Sequence, residues 1–358
     1  MKFNDKQYSV YNGKKLTVEI FGASHAEKIG VKVQGFEGQK FNTDKLQEFC
    51  DRRRAKKSAY STTRLELDKI IFESGLENGV IVGELNAVIK NGEQRSADYE
   101  RTVKIPRPSH ADFVAWSKYG DGFDYRGGGK FSGRLTAPMC IAGGIAKQLL
   151  EEKGIKINAY ISSIGKIKGK TYDDGNIDFN FKDINFPLAD ESVKQDMLSA
   201  IESARSKGDS IGGKIDCVVT GVPVGAGEYM FDSIESVISR LAFAVPAVKG
   251  IEFGSGFNLS EMNGSVANDS FYYDGQTVKT KTNHNGGING GIANGMPITF
   301  RVAIKPTPSI AIEQDSVDMQ SKTNVKLKIQ GRHDACIVPR AVPVIEAITA
   351  IAIFDILD

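Results

Sequence analysis

Histidine is the residue best suited to move a proton near neutral pH, and the sequence has only four: His25, His110, His284 and His333. His25 and His110 both lie in Ser-His-Ala sequences. His25 follows a predicted strand and His110 precedes a helix-like run. A single histidine in a loop is most often solvated or structural. Because two of them share this setting, we give proton transfer the same weight as the structural alternative.

Basic side chains form two groups that suit an anionic ligand. The first covers residues 52–57 at the end of a predicted helix and leads into the hydroxyl residues 60–63. The second surrounds the glycines 127–129 and consists of Arg107, Arg126, Lys130 and Arg134. Guanidinium groups beside hydroxyls match phosphate and carboxylate oxygens. A solvated charged face or a weak nucleic-acid patch is the alternative, but the interleaved aromatic residues typical of nucleic-acid binding are missing.

Two glycine-rich loops indicate close approach of the backbone to a ligand. Residues 126–134 (RGGGKFSGR) open a long predicted helix, whose free amides favour an anion. The loop matches neither the Walker nor the Rossmann pattern. Residues 285–295 contain five glycines, more than one tight turn needs, and lead through a strand to Lys305–Ser309.

A third charged sequence, Arg332-His333-Asp334, stands directly before an apolar C-terminal helix. A salt-bridged helix start is one explanation for it. The other is chemical, because Asp334 could act as a base.

The elements that position these residues mix strands and helices without a regular βαβ alternation, which predicts an α+β fold. Residues 166–190 are polar, and we expect a solvated excursion there. Strands are predicted over 15–22, 31–36, 70–74, 80–89, 154–164, 213–222 and 297–304, and helices over 44–53, 133–152, 192–207, 231–245 and 341–357.

Composition excludes several classes of protein. The chain has 358 residues and a net charge of +2, so it is no polyelectrolyte, and its ordinary apolar content excludes a disordered chain. The four cysteines form no C-x-x-C and no zinc spacing, so we predict reduced thiols, no metal site and a cytoplasmic protein. No signal peptide is visible. Residues 342–357 are broken by Glu346 and Asp355, so we expect no membrane span.

Taken together, these motifs resemble the chorismate synthase family over residues 14–352. Residues 22–30, 119–136 and 331–346 look like its three signatures, and the third is highly specific. The glycine loop 285–295 followed by KPTPS, the sequence Arg52-Arg53-Arg54 and residues 246–250 match in the same order. The resemblance implies one domain over residues 1–358, with helices sandwiched between antiparallel β-sheets. It also implies a homotetramer.

The activity that this resemblance implies is a lyase reaction, the 1,4-anti elimination of phosphate from 5-enolpyruvylshikimate 3-phosphate to give chorismate. The family requires reduced FMN although the reaction has no net redox change. Some members reduce the flavin with NADPH and others depend on an external reductant. No flavin-reductase domain is visible here, so we favour an external source.

Roles follow from the resemblance position by position. His25 corresponds to the acid for the departing phosphate, His110 to the group that manages the proton of the reduced flavin, and Asp334 to the base acting through flavin N5. Ser24 and Ser132 correspond to supporting hydroxyls. FMN contacts are expected at Arg53, Lys130, Phe131, Ser132, Pro246, Ala247, Gly290, Lys305, Pro306, Thr307, Pro308, Ser309 and Arg332. Substrate contacts are expected at Arg52, Arg53, Arg107, Arg134 and Arg340.

The sequence departs from the family pattern at five positions, which we expect to alter affinity more than reaction class. They are Ala23, Ala26, Ala59, Phe131 and Leu135. Two other functions remain as alternatives. One is a non-enzymatic protein that binds RNA or another anion through residues 52–57, and the other is an ordinary flavin oxidoreductase, for which no pyridine-nucleotide fingerprint is visible.

Overall fold

The computed structural model describes residues 8–55, 67–92, 104–120, 124, 126–175, 177–329 and 334–357. Two five-stranded antiparallel sheets dominate the architecture, as the α+β prediction requires. The first sheet has the order β1-β2-β3-β5-β4. Its strands are β1 (Tyr8–Asn12), β2 (Thr17–Gly22), β3 (Lys28–Gln34), β4 (Ile70–Glu77) and β5 (Val80–Lys90).

The second sheet has the order β7-β6-β8-β14-β9. Its strands are β6 (Lys156–Ile164), β7 (Ile167–Lys168), β8 (Gly213–Thr220), β9 (Val248–Phe253) and β14 (Ile298–Ile304). Three small hairpins complete the strands. They are β10 (Phe271–Asp274) with β11 (Thr277–Thr280), β12 (Ile288–Asn289) with β13 (Ile292–Ala293), and β15 (Gln314–Asp318) with β16 (Thr323–Leu327).

The two longest helices lie between the sheets and bury most of their side chains. The helices are α1 (Thr43–Arg53), α2 (Asp112–Tyr119), α3 (Thr136–Glu152), α4 (Lys194–Ser206), α5 (Ile234–Ala244), α6 (Gly264–Ala267) and α7 (Val338–Ile356). Helix α3 packs on β2, β3 and β5, and α7 packs on β6 and β8, while α3 and α7 contact each other. One cluster of buried apolar side chains therefore takes members from both sheets and from the helices between them.

Close approach and ion pairing join the central helices. A Cβ on Gly143 of α3 would lie 2.4 Å from the Ala347 Cα of α7, so only glycine allows this contact. Glu346 of α7 is buried and accepts from Arg52 NH1 and NH2 at 2.8 Å each and from Lys147 Nζ at 2.6 Å. Because Arg52 lies on α1 and Lys147 on α3, a single carboxylate ties three helices together.

Several predicted boundaries need correction. The C-terminal helix begins at Val338 rather than 341, and Pro339 sits in its first turn, where proline costs no hydrogen bond. The helix predicted from 231 begins at Ile234, because Ser233 caps it by accepting from Ser236 N. The excursion over 166–190 is not wholly solvated. Phe186 and Leu188 are buried, and Ile161 N of β6 donates to Pro187 O at 2.9 Å.

No helix within the residues that the structure describes is long and apolar enough to cross a membrane.

Candidate active site

A cavity of about 700 Å³ lies where α1 ends and α3 and α7 begin. The loops 107–111, 245–249 and 305–309 contribute to its wall. Among the described residues, the lining carries eight basic side chains against two carboxylates. The basic residues are Arg53, Arg54, Arg107, Lys130, Arg134, Lys249, Lys305 and Arg340, and the acidic ones are Asp68 and Asp334.

Arg53 is the most deeply buried cation of this wall, at 6% exposure. Its Nε donates to Thr136 Oγ1 at 2.9 Å and its NH2 to Gly133 O at 2.7 Å, so α1 is fixed to the start of α3. Burial and the neighbouring Arg340 and Arg134 lower the pKa of Arg53 to about 10. The guanidinium remains charged at neutral pH, and the crowding of like charges favours an anion beside it.

Asp68 is the counterion inside this group of arginines, and it was not among the predicted site residues. Its Oδ1 accepts from Arg134 NH1 at 2.6 Å, and its Oδ2 lies 3.5 Å from Arg53 NH1. The residue has a φ of 46°, in the left-handed region, and its carbonyl accepts from Gln47 Nε2 of α1 at 3.2 Å. Nothing in the local sequence around Asp68 signals this contact, because both of its partners are distant along the chain.

Arg107 belongs to the basic group around the glycines 127–129 and forms an ion pair with Asp112, the first residue of α2. Arg107 donates from Nε and NH2 to Asp112 at 2.7 and 2.8 Å, and from NH1 to Ser309 Oγ at 3.2 Å. His110 Nδ1 lies 2.6 Å from Asp112 Oδ1. Arg107, His110 and Ser309 all line the cavity, and Asp112 connects the first two.

The glycine loop 126–129 packs directly on both predicted catalytic histidines. A Cβ on Gly127 would lie 2.3 Å from His25 Cε1 and 2.9 Å from Ser24 Oγ. A Cβ on Gly128 would lie 3.2 Å from His110 Cε1. His25 and Ser24 are buried at 4% exposure, and Gly127 forms the cavity wall in front of them. The loop therefore needs glycine because the two imidazole rings occupy the space of side chains.

The loop 305–309 forms the opposite wall. Lys305 Nζ donates to Ser109 O at 2.6 Å, and Lys305 N donates to Ala247 O at 2.9 Å. Burial and the nearby Lys249 lower the pKa of Lys305. The Thr307 Oγ1 is buried, and it makes no hydrogen bond to any residue that the structure describes. Two lysines and an unsatisfied hydroxyl on one wall suit the oxygens of an anionic ligand.

The remaining predicted residues of the first loop also lie at the cavity. Lys130, Phe131 and Ser132 line it together with Pro246 and Ala247. Ser132 Oγ accepts from Arg134 N at 3.2 Å, which caps the turn before α3. Lys130 Nζ lies 3.8 Å from the centre of the Tyr119 ring.

Asp334 lines the cavity at the start of α7 and forms an ion pair with Arg340 NH1. Arg340 Nε in turn donates to Arg53 O at 3.0 Å. The two residues therefore link α7 to the end of α1, and the predicted base lies among the predicted substrate contacts.

Five of the predicted residues that the structure describes do not line this cavity, and two of them, Ser24 and His25, lie behind Gly127. Arg52 uses both terminal nitrogens on Glu346, inside the helix layer. Gly290 lies in the turn between β12 and β13, and Pro306 is exposed beside the lining residues of its loop. Arg332 lies outside the described residues.

The chain is similar to proteins of one family over nearly its whole length. The family model described as chorismate synthase matches residues 16–357. A chorismate synthase from Dehalococcoides mccartyi is 43% identical over 346 residues, covering 96% of this chain and 95% of the relative. One from Korarchaeum cryptofilum is 42% identical over 348 residues, covering 96% of each.

The fold is also similar to that of a solved structure. A solved structure titled "Crystal Structure of Chorismate Synthase" superposes with a TM-score of 0.73 at 23% identity, covering 96% of this chain and 92% of that chain. At that identity the superposition shows the fold alone, whereas the family match and the relatives above 40% identity extend over nearly the whole sequence. The chain belongs to the chorismate synthase family.

Proposed function

We propose that the basic cavity is the active site at which this chain carries out the reaction of its family. The reaction is the 1,4-anti elimination of phosphate from 5-enolpyruvylshikimate 3-phosphate, and the protein is a lyase of chorismate biosynthesis. The observation that carries the assignment is the charge of the wall, where eight Arg and Lys residues face two Asp residues beside His110.

The excess of cations matches the ligands of this reaction. The substrate carries two carboxylates and a phosphate, and FMN brings a second phosphate, each phosphate contributing about −1.5 to −2 charges. The excess of six basic residues therefore corresponds to the charge of substrate and cofactor together. Arg53 and Arg134 are each less than 10% exposed, whereas arginines on an ordinary solvated face are mostly exposed.

We assign substrate binding to Arg53, Arg107, Arg134 and Arg340, which share the cavity wall. Guanidinium groups bind carboxylate and phosphate through paired hydrogen bonds, and phosphate leaves readily only when its charge is neutralised. Arg52 is assigned to helix packing instead, because Glu346 occupies it. Since Arg52 and Arg53 are both engaged inside the protein, the arrangement favours an enzyme over a nucleic-acid-binding protein.

The residues present fit reduced FMN. Lys305 and the buried Thr307 hydroxyl would hold its phosphate together with Ser309, while Pro246, Ala247 and residues 130–132 would hold its ring. The positive φ of 75° at Ala247 places a strained backbone at this wall, as is common at ligand sites. When bound, the flavin supplies an electron and accepts it back, which assists removal of a weakly acidic hydrogen.

The acid and base roles fall to residues around the same cavity. We assign protonation of the departing phosphate to His25, supported by Ser24, whose Oγ lies 3.1 Å from His25 Nδ1. Gly127 lines the cavity and packs against the His25 ring. Asp334 is assigned as the base, with its carboxylate oriented by Arg340. His110 is assigned to proton handling near the cofactor, and Ser132 to a supporting hydroxyl.

The wider setting of the protein completes the proposal. We infer one domain over residues 1–358, a homotetramer, a cytoplasmic location and flavin reduction by an external source rather than by NADPH. The apolar cluster that joins both sheets supports the inference of one domain.

Anaerobic turnover separates the parts of this proposal. Chorismate formation is expected from 5-enolpyruvylshikimate 3-phosphate with chemically reduced FMN, without NADPH. Activity that requires NADPH even with pre-reduced FMN would contradict the external source. Absence of turnover under both conditions by folded protein would contradict the assigned cavity chemistry.

A further inference from the structure

The first helical residue of α2, Asp112, accepts four hydrogen bonds that all come from its own loop. Arg107 donates from its backbone N at 3.0 Å and from Nε and NH2 at 2.7 and 2.8 Å. The fourth contact joins Asp112 Oδ1 and His110 Nδ1 at 2.6 Å. Both carboxylate oxygens are engaged, so the side chain is held in one orientation.

We propose that Asp112 is a positioning residue that fixes the proton of His110 on Nδ1 and thereby presents Nε2 to the cavity. The inference deepens the proposed function, since it rests on the role assigned there to His110. A carboxylate can only accept, so a contact of 2.6 Å requires the hydrogen to be on Nδ1.

The neighbouring arginine does not oppose this assignment. Arg107 NH2 also lies 3.2 Å from His110 Nδ1, where it could donate only to an unprotonated nitrogen. The same NH2 donates to Asp112 at the shorter distance of 2.8 Å. Burial alone would raise the pKa of Asp112, but the hydrogen bonds from Arg107 and His110 outweigh it and hold that pKa well below its usual range. Asp112 is therefore an ionised acceptor at neutral pH.

The opposite edge of the His110 ring faces the glycine loop. A Cβ on Gly128 would lie 3.3 Å from His110 Nε2, so this nitrogen lies beside the glycine loop, and the His110 ring itself lines the cavity. With Nδ1 protonated, Nε2 of the neutral ring carries a lone pair and can accept a proton there.

The same carboxylate positions a second side chain of the site. By holding Arg107 at Nε and NH2, Asp112 directs NH1 toward Ser309 Oγ at 3.2 Å. Loss of the carboxylate therefore affects both the histidine and the guanidinium of this corner. A residue that served only as the first residue of α2 would not need four hydrogen bonds from the preceding loop.

The first test is a measurement on the protein as it exists. With only four histidines in the chain, ¹⁵N-histidine labelling gives four pairs of ring-nitrogen signals, and the His110→Gln variant identifies one pair. The proposal expects His110 of the folded protein to show the Nδ1–H tautomer. The Nε2–H tautomer would overturn it, whatever the behaviour of any Asp112 variant.

The second test uses Asp112→Asn, which can present its amide hydrogens to Nδ1 and so favour the opposite tautomer. We expect the ¹⁵N pattern of His110 to reverse and kcat with chemically reduced FMN to fall by about 10²- to 10³-fold. The KM for substrate should rise as well, because asparagine offers only one acceptor oxygen to Arg107, which we assign to substrate binding. Asp112→Glu retains an acceptor and should restore the Nδ1–H pattern and part of the lost kcat.

Asp196→Asn is the matched control, because Asp196 is an exposed acidic residue in the first turn of α4. It removes the same favourable charge from a helix start and should leave turnover and the His110 signals unchanged. An unchanged His110 tautomer in Asp112→Asn would overturn the proposal. A reversed tautomer with normal turnover would support the Asp112 link and contradict the role given to His110 itself.

Discussion

Replacing Gly127 by alanine tests the packing of the glycine loop on His25. Gly127 has φ and ψ of 60° and 12°, in the left-handed region. A Cβ built there would lie 2.3 Å from His25 Cε1 and 2.6 Å from His25 Nδ1. Since carbon atoms in contact require about 3.5 Å, the ring must move by roughly 1 Å or the loop must lift away from it.

The size of the effect follows from the left-handed backbone at Gly127 and from the displacement of the His25 ring. An alanine in the left-handed region costs about 1–2 kcal/mol relative to glycine, and that cost appears as lost stability. A displacement of about 1 Å at a reacting group costs on the order of 10²-fold in rate. We therefore expect Gly127→Ala to remain folded, to melt about 1–3 °C lower, and to lose about 10²-fold in kcat with chemically reduced FMN.

Gly154→Ala is the matched control, away from the cavity lining. No heavy atom lies within 4 Å of a Cβ built on Gly154, and its φ of 80° is also in the left-handed region. We expect a similar loss of stability from the backbone but turnover close to that of the parent protein. If Gly127→Ala also kept normal turnover, His25 would not be held by this loop in the way described.

Three further predictions concern the arginines, the base and the buried carboxylate. Arg53→Ala removes a charge-assisted contact of roughly 1.5–3 kcal/mol, so substrate affinity measured by calorimetry should fall about tenfold to hundredfold; a loss below threefold would leave Arg53 a purely structural role. Asp334→Asn should bind flavin but turn over about 10²- to 10⁴-fold more slowly, and near-normal turnover with a native circular-dichroism spectrum would make Asp334 only the partner of Arg340. Burial would raise the pKa of Glu346, but Lys147 and Arg52 lower it from 4.5 to about 2. The ionised carboxylate therefore contributes roughly 3 kcal/mol to the free energy of unfolding above pH 4.5, and this contribution is lost as the pH falls toward 2. Thermal melts should therefore show a steeper loss of stability between pH 5 and pH 3 in the parent protein than in Glu346→Gln, and equal slopes would contradict the linkage.

Local sequence patterns predicted most of the elements, whereas much of the cavity wall was predicted from the family resemblance. The alternation in β2 and the continuous apolar runs of β6, β8, α3 and α7 identify elements, because each pattern reports how much of an element is buried. The glycines 127–129 and the loop 305–309 were also identified, since turn residues and basic residues carry meaning over a few positions. The short hairpins β10–β11 and β15–β16 were missed. Several of their side chains are exposed, so a burial pattern is weak there.

The counterions of the cavity are the main omission. Asp68 contacts Arg134 across 66 positions of sequence, and its left-handed backbone is not specified by its residue type. Asp112 stands only two residues after His110, but no role was predicted for it. A carboxylate that pairs with a distant arginine gives no local pattern, so only the folded chain identifies such residues.

The run Arg52-Arg53 shows why a charge cluster in sequence is not a single patch in the protein. Adjacent helical residues point about 100° apart, so Arg52 turns to Glu346 inside the helix layer while Arg53 turns to the cavity. The contact between Arg52 and Glu346 nevertheless supports the position of Arg53 at the cavity. Through Glu346 and Lys147, Arg52 holds the end of α1 against α3 and α7, and the starts of those two helices provide Arg134 and Arg340. Because like charges would otherwise push these guanidiniums apart, the buried carboxylate helps to keep Arg53, Arg134 and Arg340 at a fixed spacing before any anion binds.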